Sequence, residues 1–204
     1  VIGACLLVGA AVLTVQQAIA TPITVTVKSA DGGAAADAVV VFDPLDATPP
    51  PGHDRASIDQ VKKTFVPAVT VVRTGTAVTF PNSDQIHHEV YSTSPAKTFE
   101  MPLYAGVPKA PIIFDKAGLV VLGCNIHDKM LAFVAVVDSP YFAKISPSGS
   151  ASFNLPAGRY GLRVWHPLLR AAVPTQAVTV AAEPQSLAIQ LNLAPGNDPV
   201  AAWH

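Results

Sequence analysis

Residues 118–138 constrain the fold more than any other stretch. Residues 118–122 and 131–137 are unbroken apolar runs of strand length, joined by a short, more polar loop. Val-rich runs bounded by turn residues suit strands buried on both faces. Such a pair needs further strands packed around it, and the rest of the chain supplies them. After residue 20 no window of helical length carries a convincing helical period, and the 19 prolines favour short strands and turns. Strand-like runs occur at 23–28, 38–42, 65–72, 76–80, 86–92, 112–114, 151–155, 159–165, 177–180 and 187–193. Turns are expected at 31–33, 73–75, 82–84 and 156–158, and an irregular excursion at 93–111, where Pro, Lys and small residues gather. Strands of this number and length predict an all-β sandwich or barrel.

Half of the residues are hydrophobic, 13% are charged and the net charge is -1, which argues against a nucleic-acid partner. Residues 1–20 are apolar and close on Ala18-Ile-Ala20. This small-x-small ending predicts a secretory signal peptide, partial because no basic segment precedes the run, cut before Thr21. An uncleaved membrane anchor is the alternative. Cleavage predicts a periplasmic protein with no stable membrane association. Cys5 would leave with the signal as filler. Cys124 then remains as a single thiol in an oxidising compartment, and metal ligation explains it.

The loop between the two apolar runs carries Cys124, His127 and Met130 at the spacing C-x2-H-x2-M. Thiolate, imidazole and a weak thioether, completed by a second imidazole, form the donor set of trigonal copper sites. Residues 86–92 offer that imidazole twice, in His87 and His88. Side chains alternate along a strand, so one of the two faces the metal. With His88 inward, Ile86 and Val90 share its core face and Glu89 points out. With His87 inward, the Glu89 carboxylate is driven into the core at high cost. His88 is therefore favoured, with His87 as the alternative. Met101, flanked by a proline loop, is a poor axial competitor. His53 reads as a solvated loop residue, His166 as structural, and Tyr160 and Trp165 as core. No Ser/His/Asp set, paired carboxylates or phosphate loop suggests an enzyme.

These residues resemble the cupredoxins, the small blue copper proteins. Phe65-x-Pro67, Gly75, Val78-x-Phe80 and Asn82 look like the strand-turn-strand stretch before the first ligand. His88-x-Val90 looks like the first ligand on its strand, and the loop spacing resembles that of the amicyanin subgroup, electron acceptors in methylamine oxidation. The likeness covers roughly residues 58–138 and implies a Greek-key β-sandwich holding one type 1 copper, cycling between Cu(I) and Cu(II), by His88, Cys124, His127 and Met130. It also implies electron exchange with redox partner proteins through the edge of His127. An apolar shell is expected from Val121, Leu122, Ile126 and Phe133. The chain departs from the pattern at Glu89, where Asn is usual and where Asn125 is a candidate substitute. It departs again at Asp128 and Lys129, which replace apolar surface. The same residues would serve a copper carrier or sensor, and a metal-free structural module is the third alternative.

The flanks, 23–42 and 151–193 with Leu155-Pro-Ala-Gly-Arg-Tyr160, resemble a carboxypeptidase-regulatory-like or transthyretin-like β-sandwich. The expected organisation is a copper domain at 46–145, a C-terminal β-sandwich module at 146–194 and a tail at 195–204. An N-terminal hairpin at 21–45 joins either the module or the copper domain's own sheet.

Overall fold

The computed structural model describes residues 20–50 and 52–195. The signal-peptide reading of 1–20 and the tail at 195–204 fall almost wholly outside the described residues. Among those residues the chain is all-β, and no helix is long and apolar enough to cross a membrane.

The strands are β1 (Ala20–Ser29), β2 (Val39–Pro44), β3 (Arg55–Ser57), β4 (Asp59–Val61), β5 (Thr64–Val66), β6 (Val69–Arg73), β7 (Thr76–Thr79), β8 (His88–Ser94), β9 (Lys97–Tyr104), β10 (Ile112–Phe114), β11 (Gly118–Gly123), β12 (Leu131–Val137), β13 (Phe142–Lys144), β14 (Ser150–Pro156), β15 (Gly158–Trp165), β16 (Gln176–Val180) and β17 (Gln185–Leu191). They form sheets ordered β14-β1-β17, β13-β2-β15-β16, β6-β12-β11-β8-β9 and β10-β7-β3, with β4-β5 as a separate hairpin.

Burial patterns explain the stacking. In β1, Thr21, Ile23, Val25 and Val27 are buried while Ala20, Pro22, Thr24 and Lys28 are exposed, so this sheet has one wet face. In β2 four consecutive residues are buried. Val40 and Phe42 join the core shared with β1, β14, β15 and β17, whereas Val39 and Val41 enter a different cluster with Val69, Phe133, Ala135, Val137 and Trp165. β12 behaves likewise. Phe133, Ala135 and Val137 meet β2 and β15, while Ala132, Val134 and Val136 face a core with Val78, Phe80, Val90, Phe114 and Leu122. The apolar runs of β2 and β12 thus belong to strands enclosed on both sides, whereas the equally apolar run of β11 leaves Val121 exposed, a departure from the expectation for 118–122.

Several expectations are corrected. The strand read over 65–72 is divided into β5 and β6 around Pro67, which has no N–H to give a ladder. The excursion at 93–111 contains β9, antiparallel to β8. β9 is an edge strand, where Pro102 is tolerated, and Phe99, Met101 and Tyr104 pack against the core. β1 and β2 do not pair with each other as a hairpin. β1 pairs with β14 and β17, and β2 pairs with β13 and β15, so the two lie in facing sheets.

Candidate metal centre

β11 ends at Gly123 and β12 begins at Leu131. Between them His127 N–H donates to the Cys124 carbonyl at 3.4 Å and Met130 N–H to the His127 carbonyl at 2.9 Å. Two successive turns of three residues return the chain to the same side each time, because residues three apart in such turns eclipse one another. That is the local reason for the x2 spacing. It gathers Cys124, His127 and Met130, and the antiparallel ladder Leu122–Ala132 and Gly123–Leu131 clamps both ends.

β8 supplies the remaining donor. His88, its first residue, is fully buried; the Cys124 Sγ lies 3.8 Å from His88 Nδ1 and 3.8 Å from His127 Nδ1. One ligand atom from each of His88, Cys124 and His127 falls within 4.8 Å of the others, and the two imidazole rings have centroids 5.0 Å apart. Cys124 and Met130 are buried in the same core, and His127 is half-buried. The donor set fits a copper ion on its chemistry: a thiol and two imidazole nitrogens converge, with a buried thioether on the same loop.

Asp84, expected in a turn, places its Oδ2 2.8 Å from His88 Nε2. The same carboxylate accepts the backbone N–H of Lys62 at 2.6 Å and of Lys63 at 2.8 Å. The Lys63 amide, followed by the His88 hydrogen bond, holds the Asp84 pKa below the ordinary carboxylate value. The signal was present as a carboxylate four residues before a candidate ligand, but Asp84 lies in the bend before β8, where no regular period links it to His88. Asn82 is a second brace, one that its place in a turn does not signal. It is buried, and its Nδ2 donates to the carbonyls of Ile86 at 2.9 Å and Tyr104 at 2.8 Å.

His87 is exposed, and the structure brings it to neither Cys124 nor His127. Val90 is buried on the face of His88, but Ile86 is 39% exposed because it precedes β8 and turns outward. The expected apolar shell is also different. Leu122 lies in the metal-side core, Val121 and Ile126 are exposed, and Phe133 faces the opposite core. An odd-even shift along each strand accounts for this: Val121 and Phe133 are directly paired, and both point away from Leu122. Met101 sits on β9 opposite Val90, not in a loop. Asn125 is exposed and lines a shallow cleft with Glu89 and Tyr91. His53 is exposed. His166 is buried, with Nε2 3.0 Å from the Ala36 carbonyl and Nδ1 accepting the Leu168 N–H at 3.0 Å. Tyr160 is core, and Trp165, the last residue of β15, packs against Phe133 of β12.

No family model matches the chain, and no curated protein does. Among solved structures, the chain is similar to a purple cupredoxin from Nitrosopumilus maritimus at 22% identity and a TM-score of 0.35, over 40% of this chain and 98% of that one. It is similar to a copper-containing nitrite reductase from Thermus scotoductus SA-01 at 25% identity and 0.38, over 40% of this chain and 22% of that one. A reduced Cu(I) amicyanin variant matches at 19% identity and 0.37, over 48% of this chain and 97% of that one.

Proposed function

We propose that the chain is an exported electron-transfer protein that holds one copper ion by His88, Cys124, His127 and Met130. The observation that carries this reading is the approach of the Cys124 Sγ to 3.8 Å from Nδ1 of both His88 and His127. Bound copper supplies a one-electron Cu(I)/Cu(II) couple. Cys124 would provide the thiolate, His88 and His127 two imidazole nitrogens, and Met130 a weak thioether donor. Residues 46–145 form the metal-bearing unit, and 21–45 with 146–194 its companion. The paired strands β11, β12 and β8 anchor the segments that carry the donors. His127 is half-buried while His88 and Cys124 are buried, so the His127 ring edge is the path for electrons to a partner protein. With four protein donors the centre has no position for a substrate, and the protein is a carrier, not an enzyme. The ending Ala18-Ile-Ala20 supports export to the periplasm.

The test is addition of Cu(II) to the metal-free protein, followed by visible and paramagnetic resonance spectra. An intense thiolate charge-transfer band is expected, lost in Cys124→Ala. Reversible one-electron voltammetry with fast self-exchange supports electron transfer, whereas ready release of Cu(I) to an acceptor replaces this reading with a copper carrier. Zinc bound in preference to copper overturns it, since Cys and His also suit zinc.

A further inference from the structure

The least expected feature of the centre lies behind His88. The hairpin of β4 and β5 pairs Val61 with Thr64 and turns through Lys62 and Lys63, whose φ values are +53° and +60°. Left-handed backbone at both central residues is the two-residue hairpin turn whose twist matches the strands. Here it has a second effect, because both turn amides point at one carboxylate. Asp84 Oδ1 accepts from Lys62 N–H, and Oδ2 accepts from Lys63 N–H and lies 2.8 Å from His88 Nε2. The hairpin is also stitched to the segment that carries Asp84. Ser83 Oγ donates to Asp59 Oδ2 at 2.7 Å, Ser83 N–H to the Gln60 carbonyl at 3.0 Å, and Gln60 N–H to the Pro81 carbonyl at 3.1 Å. Asp84 N–H is held by Asn82 Oδ1 at 3.0 Å.

Two amide donors and one imidazole nitrogen meet the two oxygens. An ionised carboxylate, the ordinary form of Asp at neutral pH, has no proton to give, so His88 Nε2 must be the donor. Its proton therefore sits on Nε2, and the Nδ1 lone pair faces Cys124.

We propose that Asp84, gripped by the Lys62–Lys63 turn, is a positioning residue that fixes the tautomer and the ring orientation of His88 so that Nδ1 is presented to a metal ion. The final step rests on the copper reading above; the clip itself does not. Metal-bound imidazoles are commonly oriented by a partner on the other ring nitrogen, and losing that partner weakens binding. In this chain the partner is set by backbone amides of a hairpin remote in sequence from the ligands. The turn is thereby part of the site although neither lysine side chain is needed.

Two measurements test it. In the full-length metal-free protein carrying 15N-histidine, at a pH where imidazoles are neutral, His88 should show one slowly exchanging ring N–H, at Nε2. Asp84→Leu should expose that proton to rapid exchange or move part of the population to Nδ1. A wild-type proton at Nδ1, or an Nε2–H in Asp84→Leu as protected as before, overturns the proposal. The wild-type measurement decides even where Asp84→Leu fails to fold. In the second, Cu(II) competition against a chelator should show affinity reduced about 10–100-fold in Asp84→Asn. Asp115→Asn, which breaks an exposed pair with Lys97, should leave it unchanged. Equal affinities in wild type and Asp84→Asn overturn the positioning role. Failure of every form to bind Cu(II) rejects the copper reading and leaves the tautomer measurement to judge the clip.

Discussion

Phe133 and Trp165 meet with ring centroids 5.7 Å apart, one on the strand leaving the Cys-His-Met loop and the other at the end of β15. Both are buried, with Val39, Val41, Val69, Ala135 and Val137 around them. Truncating a buried aromatic removes its transfer free energy and leaves a cavity. Phe133→Ala is therefore expected to cost about 3–5 kcal/mol in urea unfolding, with a red-shifted Trp165 emission as water enters. A loss below about 1 kcal/mol, the effect of an ordinary surface change, would show that the contact is marginal.

Tyr91 lies against the backbone of Gly123, its direct partner across β8 and β11. A Cβ on Gly123 would come within 2.9 Å of Tyr91 Cζ, a distance that forces the ring or the strand to move. Gly123→Ala should lower stability by about 1–3 kcal/mol, the range for overpacking. Tyr91→Ala should relieve most of that loss in the double variant, because the two residues share one contact. Strict additivity of the two changes would place the strain elsewhere.

The adjacent imidazoles should separate cleanly by spectroscopy. His88 is fully buried beside Cys124, whereas His87 is exposed. His87→Ala is expected to leave the Cu(II) charge-transfer band in position and intensity. His88→Ala should abolish it or shift it strongly. The reverse pattern would give the ligand role to His87.

His166 should give stability a pH dependence whose sign follows from its burial. Burial lowers its pKa from the ordinary 6.5, and its surroundings accept only the neutral ring, since Nδ1 already receives the Leu168 N–H. The unfolded chain then binds more protons than the folded one below the unfolded value. Stability is accordingly full above about pH 6.5 and falls as pH drops toward the lower folded value. The urea midpoint of the metal-free protein should decline over this window, and more steeply than that of His166→Gln. Parallel declines in the two proteins would remove His166 as a source.

The two strands that organise the molecule were legible because their apolar runs are continuous, and the candidate metal loop was legible because Cys124, His127 and Met130 are three residues apart. The choice of His88 over His87 followed from alternation and the cost of burying Glu89. That alternation did not extend to Ile86, which lies before the strand and faces solvent. β9 was obscured by Pro102 and by Lys97 and Thr98, whose polarity masks the inward side chains at Phe99 and Met101. The short strands β3, β4 and β13 carry too few residues for a period to be read.

By itself, the sequence determined the strand-rich character of the chain and a Cys, His and Met at one loop, because periodicity and spacing are local properties. Tertiary structure alone decided that β1 and β2 lie in facing sheets, that Phe133 turns to Trp165 and away from the centre, and that Asp84 stands behind His88. The physical reason is the same in each case. These outcomes depend on which strand lies alongside which, and in the case of Asp84 on two backbone amides, groups that every residue but proline possesses and that leave no mark in the order of side chains.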